Sequence, residues 1–433
     1  MKKLFALLLT AVMLLGMFSA VAVADEPVTI TFWCSWEDAW RDALKGLVEQ
    51  WEAQNPGVHV EFVYAGSYSE SNQSLLAAHA ATLSAPNGEV YVPTVQQTVG
   101  TNIPTFAENG VIYPLDEYIA ANGDDMSVFA SGMLKAYQYK DQQYGLPGCI
   151  SLVPSIFYNK TFAEQEGIEF PTSWDDFDAF LRKATIKDEQ GNTVRYGASF
   201  SGWGIDYVTP ILREFGVNPF TDEEETQSGF DCPEMREFAT KMQGWAKEGL
   251  ISWAFGSGAS TNMRQSFLDG KTFCVWHTCA LYDLYNKGLA NNGWEIGAAF
   301  PPTGVKQVAG LGGSGFTLMK LASPEQREWG YKLIRFLTDT ACNMVIIKNT
   351  GYLPVTKTCL ESEDCAEWLK TNPELIHLYE HLDELVASPS SPAWADIGTK
   401  VTDNLARIIV DGEDVEATLQ FMCDEIQEIL DDM

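Results

Sequence analysis

The sequence predicts an α/β fold in which parallel strands are flanked by helices, and two observations lead to this prediction. Near the N-terminus, β-rich apolar stretches alternate with amphipathic helical stretches in the order strand, helix, strand, helix, strand. Such an order builds a parallel sheet with helices packed on its faces. The chain has 433 residues, of which 46% are hydrophobic, so we expect a globular protein of two or more domains.

Five elements open the chain, and each follows from its periodicity. Apolar and polar residues alternate in the strand stretches, whereas apolar residues recur every three to four positions in the helical ones. The first helix stops at the turn sequence Asn55-Pro56-Gly57. The predicted elements are strand 28–33, helix 38–55, strand 58–64, helix 69–83 and strand 90–95.

Further elements are predicted along the rest of the chain. Ser173 and Ser323 are suited to cap helix N-termini, and Pro324 suits a first helical position. The polar stretch 187–195 indicates a hairpin. The other predicted elements are strand 156–160, helix 238–250, a helix ending near 270, strand 272–276 and helix 414–430.

The first 24 residues have the composition of a secretory signal. Lys2 and Lys3 precede the apolar stretch 4–18, and Ala22-Val23-Ala24 supplies small residues before a cleavage site. We expect cleavage near Ala24 and a mature protein outside the cytoplasm, without direct membrane insertion. The leader has no cysteine, so no lipoprotein anchor is predicted.

The chain is strongly acidic, with 59 acidic and 28 basic residues and a formal charge of −31. This charge argues against nucleic acid or anionic lipid as a partner. It also disfavours a polyanionic ligand, although a local pocket can override a global field. The acidic stretch 222–225 is interpreted as a solvated loop, with a calcium site as the alternative.

Cysteines number nine, an odd count that leaves at least one thiol unpaired. Cys359 and Cys365 are close enough in sequence for a loop disulfide. Cys274, Cys342 and Cys423 lie in apolar stretches and are interpreted as small buried hydrophobic residues. No Cys-x-x-Cys motif occurs, so no zinc site is predicted, nor any cofactor.

Seven short motifs occur in a fixed order, and their combination is more specific than any of them alone. They are Ile30-Thr31-Phe32-Trp33, Asn55-Pro56-Gly57-Val58, Leu146-Pro147 followed by Tyr158-Asn159-Lys160, Thr172-Ser173-Trp174-Asp175-Asp176, Phe267-Leu268-Asp269-Gly270-Lys271, Gly312-Gly313 and Gly351-Tyr352-Leu353-Pro354. In this order they resemble the extracellular solute-binding proteins of ABC importers, family 1. Within these proteins the chain is similar to carbohydrate-binding members, including the glycerol-3-phosphate-binding branch.

The resemblance implies a two-lobed periplasmic-binding-protein-like fold of type II. Each lobe would be a mainly parallel sheet flanked by helices, with a ligand cleft between the lobes. Chain crossings are expected near residues 137, 278 and 335. They give an N-terminal lobe of 25–137 plus 279–335 and a C-terminal lobe of 138–278 plus 336–433.

The resemblance also implies a function without catalysis. A monomer would capture a sugar by hinge closure and deliver it to the membrane permease subunits. Carried over position by position, the resemblance implies ligand contacts at Tyr68, Ser151, Trp203, Gly313 and Tyr352, with another near Thr278.

Sugar binding calls for aromatic faces and hydrogen-bonding groups, and the sequence offers more of both. Trp36 and Trp394 lie in predicted loops, where the alternative is a core or surface aromatic. Glu37 can accept sugar hydroxyls, or it only caps the next helix.

Two departures from the glycerol-3-phosphate branch bear on the ligand. Where that branch has an acidic residue after its third strand, this chain has Thr94-Val95-Gln96-Gln97, which makes Gln96 the candidate contact. Where the branch has an arginine that contacts phosphate, this chain has Gly398-Thr399-Lys400. Lysine lacks the two-pronged recognition of an oxyanion, so a neutral saccharide is the favoured ligand. Glycerol-3-phosphate or glycerophosphodiesters are the alternative.

Other functions stay open. A secreted carbohydrate-active enzyme would use two carboxylates, which cannot be singled out among 59 acidic residues. His277 beside Cys279 suggests nucleophilic chemistry only weakly, and a place at a strand end is the favoured interpretation. A binding protein that presents its ligand to a sensor kinase or receptor would have the same site.

Overall fold

The structure is a computed structural model that describes residues 27–36, 38–201, 205–256 and 258–433. The predicted leader 1–24 and the candidate contacts Glu37 and Trp203 lie outside these residues. Among the described residues, no helix is both long and apolar enough to cross a bilayer.

The described strands form two larger sheets and one short hairpin. In chain order they are β1 (Val28–Cys34), β2 (Val58–Tyr64), β3 (Val95–Thr98), β4 (Ile112–Tyr113), β5 (Gln138–Tyr139), β6 (Gln142–Gln143), β7 (Gly145–Val153), β8 (Ser155–Asn159), β9 (Ile186–Lys187), β10 (Thr193–Ser201), β11 (Ile251–Ala254), β12 (Thr272–His277), β13 (Ile296–Ala299), β14 (Ala309–Met319) and β15 (Leu385–Val386).

Helices cover the faces of both sheets. They are α1 (Asp38–Gln54), α2 (Tyr68–Leu83), α3 (Ile103–Glu108), α4 (Asp116–Asn122), α5 (Ser131–Lys135), α6 (Lys160–Glu166), α7 (Phe177–Ala184), α8 (Ile205–Glu214), α9 (Pro233–Lys247), α10 (Ala259–Leu268), α11 (Tyr282–Ala290), α12 (Pro324–Leu337), α13 (Thr340–Asn349), α14 (Lys357–Leu360), α15 (Glu363–Thr371), α16 (Ile376–Tyr379), α17 (Trp394–Ile409) and α18 (Val415–Asp431). Short 3-10 turns lie at 100–102, 126–128, 279–281, 373–375 and 382–384.

The first sheet has the strand order β15-β14-β3-β1-β2, with β4 and β7 also paired to β14. Strands β1, β2 and β3 are parallel, as the βαβαβ pattern predicts. The long strand β14 runs antiparallel to β3 and β7, so the sheet is mixed.

The second sheet has the order β11-β10-β12-β8-β13, with β9 on β10. Strands β10, β11 and β12 are parallel, whereas β8 is antiparallel to β12 and β13. The β9–β10 pairing confirms the hairpin predicted at 187–195.

The chain passes between the sheets at three places. Strand β7 of the first sheet leads directly into β8 of the second, and β13 leads back into β14. The third connection, 387–393, joins β15 to α17, which packs in the second core. The predicted crossings near 137, 278 and 335, and the lobe bounds drawn from them, stay a prediction.

Helix boundaries agree with the capping residues in most places. Ser323 caps α12 through a capping box with Gln326, as predicted. The predicted start of helix α7 is wrong, because the helix begins at Phe177 rather than just after Ser173. The Ser173 hydroxyl instead accepts the Asp176 N–H in the turn before the helix.

The predicted range of the third strand is also wrong, because β3 spans 95–98 rather than 90–95. Val90 and Tyr91 are about half exposed, and Pro93 has no N–H to give to a sheet. The polar pair Gln96-Gln97 is instead wholly buried in the strand.

All nine cysteines lie among the described residues, and each is a free thiol. Eight are buried and Cys232 is partly buried, which agrees with their interpretation as small hydrophobic residues. The sequence proximity of Cys359 and Cys365 therefore does not correspond to a disulfide here.

Candidate functional site

The carboxyl ends of β1, β2 and β3 share one edge of the first sheet, and several candidate residues lie there. Trp36 follows β1, Tyr68 begins the helix after β2, and Gln97 lies within β3. Open α/β sheets generally bind ligands at this edge. The edge is therefore the place to examine for a site.

Four aromatic residues, Trp36, Trp40, Tyr68 and Tyr352, form what we call the aromatic cluster. The Trp36 and Tyr352 rings are stacked, with centroids 5.2 Å apart and planes 21° apart. Trp40 meets both rings edge-on, at 5.9 Å from Trp36 and 5.8 Å from Tyr352. Trp36 is 3% and Tyr352 4% exposed, so their shared faces are closed to solvent.

The Tyr68 hydroxyl is the centre of a hydrogen-bond network beneath these rings. It accepts from Trp36 Nε1 at 2.9 Å and from Gln97 Nε2 at 3.4 Å, and it donates to Ser314 Oγ at 3.1 Å. Burial raises the pKa of the Tyr68 hydroxyl above its ordinary value, so it stays a protonated donor. The network fixes Trp36 and Tyr68 with respect to β3 and β14.

Tyr352 reaches the cluster because its segment is held against β7. The Leu353 N–H donates to the Ile150 carbonyl at 2.8 Å, and Asn343 accepts the Val355 N–H at 2.9 Å. At Gly351, a Cβ would lie 2.3 Å from the Cys279 carbonyl oxygen, so only glycine fits.

Gly313 adjoins the cluster at a point of very close packing. Its φ is +81°, and a Cβ there would lie 2.0 Å from the Cys149 carbonyl oxygen and 2.8 Å from Tyr352 Cε1. Ser151 lies opposite Gly312 on the paired strand β7 and is buried. Gly313 is thus beside the cluster, and Ser151 lies next to it on the paired strand β7.

The equivalent edge of the second sheet carries His277 at the end of β12. Its Nε2 is 2.9 Å from Ser260 Oγ and its Nδ1 is 3.0 Å from the Tyr285 hydroxyl. Burial lowers the pKa of His277 to about 3, so the imidazole is neutral at neutral pH. Next to it, Thr278 is buried and caps a short turn by accepting the Ala280 N–H.

Two candidate residues lie away from the aromatic cluster. Gln96 faces the opposite side of the sheet from Gln97, and its amide donates to Ser71 and Asn72 of α2. Trp394 is 1% exposed in the second core, where its indole donates to Asp206 at 3.0 Å. In this structure their side chains are committed to these internal partners.

The structure adds three residues that the sequence did not single out for the site: Trp40, Gln97 and Ser314. Side-chain alternation along a strand shows that Gln96 and Gln97 point to opposite faces, but it does not show which face has the site. Ser314 belongs to the Gly312–Gly315 motif, for which the sequence predicted a ligand contact at Gly313 and none at the serine.

The acidic stretch at 222–225 has a structural role. The Asp222 carboxylate accepts the backbone N–H groups of Thr226 and Gln227, which closes the loop. Within the described ranges, no group of three or more His, Cys, Asp or Glu residues is arranged to hold a metal ion.

Comparison with known proteins gives relatives that cover almost the whole chain. The chain is 24% identical over 415 residues to the maltotriose-binding protein of Pyrococcus abyssi, covering 92% of this chain and 81% of that protein. The solved GacH receptor of Streptomyces glaucescens, studied unliganded and with acarbose, matches with a TM-score of 0.77 at 19% identity and covers 94% and 100% of the two chains. UgpB from Mycobacterium tuberculosis, in complex with glycerophosphocholine, matches with a TM-score of 0.78 at 21% identity over 93% and 98%.

These likenesses confirm the predicted two-lobed α/β fold. The profile of the family described as bacterial extracellular solute-binding protein matches residues 46–375, well over half of the 433 residues. The protein therefore belongs to the bacterial extracellular solute-binding proteins, a family of binding proteins that act outside the cytoplasm.

Proposed function

We propose that this protein is the solute-binding component of an ABC importer, and that it captures a sugar or oligosaccharide between its two lobes. The observation that carries the proposal is the aromatic cluster with its Tyr68 network at the carboxyl edge of the first sheet. The maltotriose-binding and acarbose-binding relatives support the same ligand class. The ligand is released unchanged to the permease subunits, and the binding protein acts as a monomer.

A sugar suits the chemistry of this cluster. The apolar C–H face of a sugar ring packs on an aromatic face, and its hydroxyls pair with polar groups at the rim. Trp36 and Tyr352 supply faces, while Gln97 and Ser314 supply an amide and a hydroxyl beside them. The two rings now cover each other and both pack in the core of the first sheet, so stacking of a sugar on their shared faces requires the side chains to separate.

The charges near the predicted phosphate position favour a neutral ligand. Lys400 pairs with Glu425 at 2.6 Å, and Arg407 pairs with Glu413 at 2.7 Å. Both cations are thus already neutralised by carboxylates of the protein, which leaves them less able to bind a phosphate. Glycerol-3-phosphate or a glycerophosphodiester is the second candidate, supported by the relative that holds glycerophosphocholine.

The proposal is tested by thermal unfolding of residues 25–433 in the presence of candidate ligands. The panel contains mono- and oligosaccharides, glycerol-3-phosphate and glycerophosphodiesters. Ligand binding to the native state raises Tm by mass action. We expect a shift with one saccharide class, and loss of that shift in Trp36→Ala and Tyr352→Ala. Trp51→Ala, which removes a buried tryptophan of α1 away from the cluster, serves as the control and should keep the shift at a lower Tm.

Other outcomes contradict the proposal in distinct ways. A shift with glycerol phosphates alone would transfer the function to the second candidate. Conversion of a saccharide to new products, detected by chromatography, would contradict a role in binding alone.

A further inference from the structure

Two of the nine cysteines, Cys232 and Cys423, belong to the second core, and the proposed sugar site uses neither of them. Cys232 is the N-cap residue of α9 and is partly exposed, whereas Cys423 of α18 is only 7% exposed. The other seven cysteines are buried as well. Cys232 is therefore the thiol of this chain that a dissolved oxidant reaches most readily.

Hydrogen bonds on either side of Cys232 fix its position along α18. At one end, Arg236 Nε of α9 donates to Glu416 Oε2 at 2.8 Å. At the other end, the Ser228 N–H donates to Gln427 Oε1 at 3.3 Å. The chain between these two contacts runs along α18, and Cys232 is at its midpoint.

Cys423 lies on the face of α18 that makes these contacts. It follows Glu416 by seven residues and precedes Gln427 by four, and such positions share one side of a helix. Burial raises the pKa of the Cys423 thiol to about 12, and the nearby Cys232 thiol acts in the same direction. The two thiols thus face each other across the contact between α9 and α18.

A bond between these two thiols would have a large effect on the unfolded chain. It would close a loop of about 190 residues, and the entropy that a disulfide removes from the unfolded chain grows with loop length. The family acts outside the cytoplasm, where disulfides form and persist. The geometry and the compartment therefore both allow a covalent link between α9 and the C-terminal helix.

We propose that Cys232 and Cys423 are a redox-responsive pair that closes to a disulfide outside the cytoplasm and fastens α18 to α9. The oxidant is a small-molecule disulfide. The Cys232 thiolate attacks one of its sulfur atoms, forms a mixed disulfide and releases one small thiol. The Cys423 thiolate then attacks the Cys232 sulfur and releases the second small thiol. The two electrons and two protons that the protein loses are thus recovered in two small thiols.

The groups around the pair slow this reaction. Burial raises the pKa of both thiols, and Glu234 beside Cys232 acts in the same direction. Around Cys423, Asp231 raises the thiol pKa and Arg236 lowers it. Because the thiolate is the nucleophile, we expect closure to take hours at about pH 8.

Thiol counting by mass spectrometry tests the pair in residues 25–433. The protein is incubated with glutathione disulfide, then unfolded in the presence of iodoacetamide and digested. We expect two of the nine thiols to escape alkylation, and a peptide with Cys232 to be joined to a peptide with Cys423. The oxidised protein should also have a Tm a few degrees above that of the reduced protein.

Single variants separate the two steps. Cys232→Ser keeps a good N-cap residue, and all eight of its remaining thiols should be alkylated. Cys423→Ala removes the second thiolate, so Cys232 should be trapped as the mixed disulfide with glutathione. Cys359→Ala is the matched control. Cys359 and Cys365 are close in sequence but wholly buried, so this variant should still form the link between α9 and α18.

Three results would overturn the proposal. One is the alkylation of all nine thiols in the wild type after oxidation. Another is a disulfide between Cys359 and Cys365 in place of the expected link. The third is a glutathione adduct on Cys232 that persists in the wild type, because Cys423 would then be out of reach of the Cys232 sulfur.

Discussion

The Tyr68 hydroxyl organises the candidate site at the scale of single residues. It joins β1, β3 and β14 through Trp36, Gln97 and Ser314, which are distant in sequence. Each partner is buried or partly buried, so it has little access to water as a substitute. The network therefore contributes to stability as well as to the position of the aromatic faces.

Tyr68→Phe tests this role. The substitution keeps the ring but leaves the Trp36 and Gln97 donors without their acceptor, so we expect the free energy of unfolding to fall by about 2 kcal/mol. Urea denaturation measures the change. Tyr113→Phe is the control, because the Tyr113 hydroxyl bonds to Glu117 at the exposed surface and its loss should cost under about 0.5 kcal/mol. Equal costs for the two variants would show that the buried network adds nothing.

At the scale of elements, β14 is the strand on which the site depends. It pairs with β3, β7 and β15, and it carries both Gly313 and Ser314. In its glycine-rich half, Gly313 lies against the Cys149 carbonyl of β7 and against the Tyr352 ring. A larger residue in that half would push apart the strands that join the two sheets.

Gly313→Ala tests the close packing of β14. The positive φ and the 2.0 Å approach to the Cys149 carbonyl lead us to expect a loss of about 3 kcal/mol or more in the free energy of unfolding. Gly46→Ala is the matched control, in the interior of α1 with no atom within 4 Å of the added Cβ. It should stabilise the protein by about 0.5–1 kcal/mol, since alanine is the better helix former. A Gly313→Ala protein as stable as the wild type would mean that β14 and β7 can separate at no cost.

Sequence and structure can also be compared at the scale of elements. Strands β1 and β2 and helices α1 and α2 have the predicted positions to within a residue or two, because their periodicity is regular and their ends carry turn or capping residues. Strand β3 does not, because the buried glutamines that form it look like loop residues in a one-dimensional pattern. Partners from other elements offset part of the cost of this burial, since Gln97 Oε1 accepts the Ser35 N–H and Gln96 Nε2 donates to Ser71 Oγ.

At the scale of the whole molecule, the formal charge of −31 dominates the electrostatics. Mutual repulsion among so many carboxylates destabilises the compact state, and dissolved salt screens it.

Salt should therefore stabilise the protein at neutral pH. Raising sodium chloride from about 20 mM to about 300 mM shortens the screening length severalfold, so we expect Tm to rise by a few degrees at pH 7. The same increment at about pH 4.5, where many carboxylates approach their ordinary pKa, should raise Tm much less. Differential scanning calorimetry gives both values. An equal rise at the two pH values would point to a general salting-out effect instead of screened repulsion.

The sequence by itself determined the alternation of strands and helices, the α/β class and the motifs of a bacterial extracellular solute-binding protein. These features are local, because periodicity, caps and turns are set by residues a few positions apart. Only the tertiary structure decided that Gln97 rather than Gln96 bonds to Tyr68 of the aromatic cluster, and that Trp394 bonds to Asp206. Such contacts join residues far apart in sequence, as Tyr68 and Ser314 are, and a one-dimensional pattern carries no record of which strands and helices will meet.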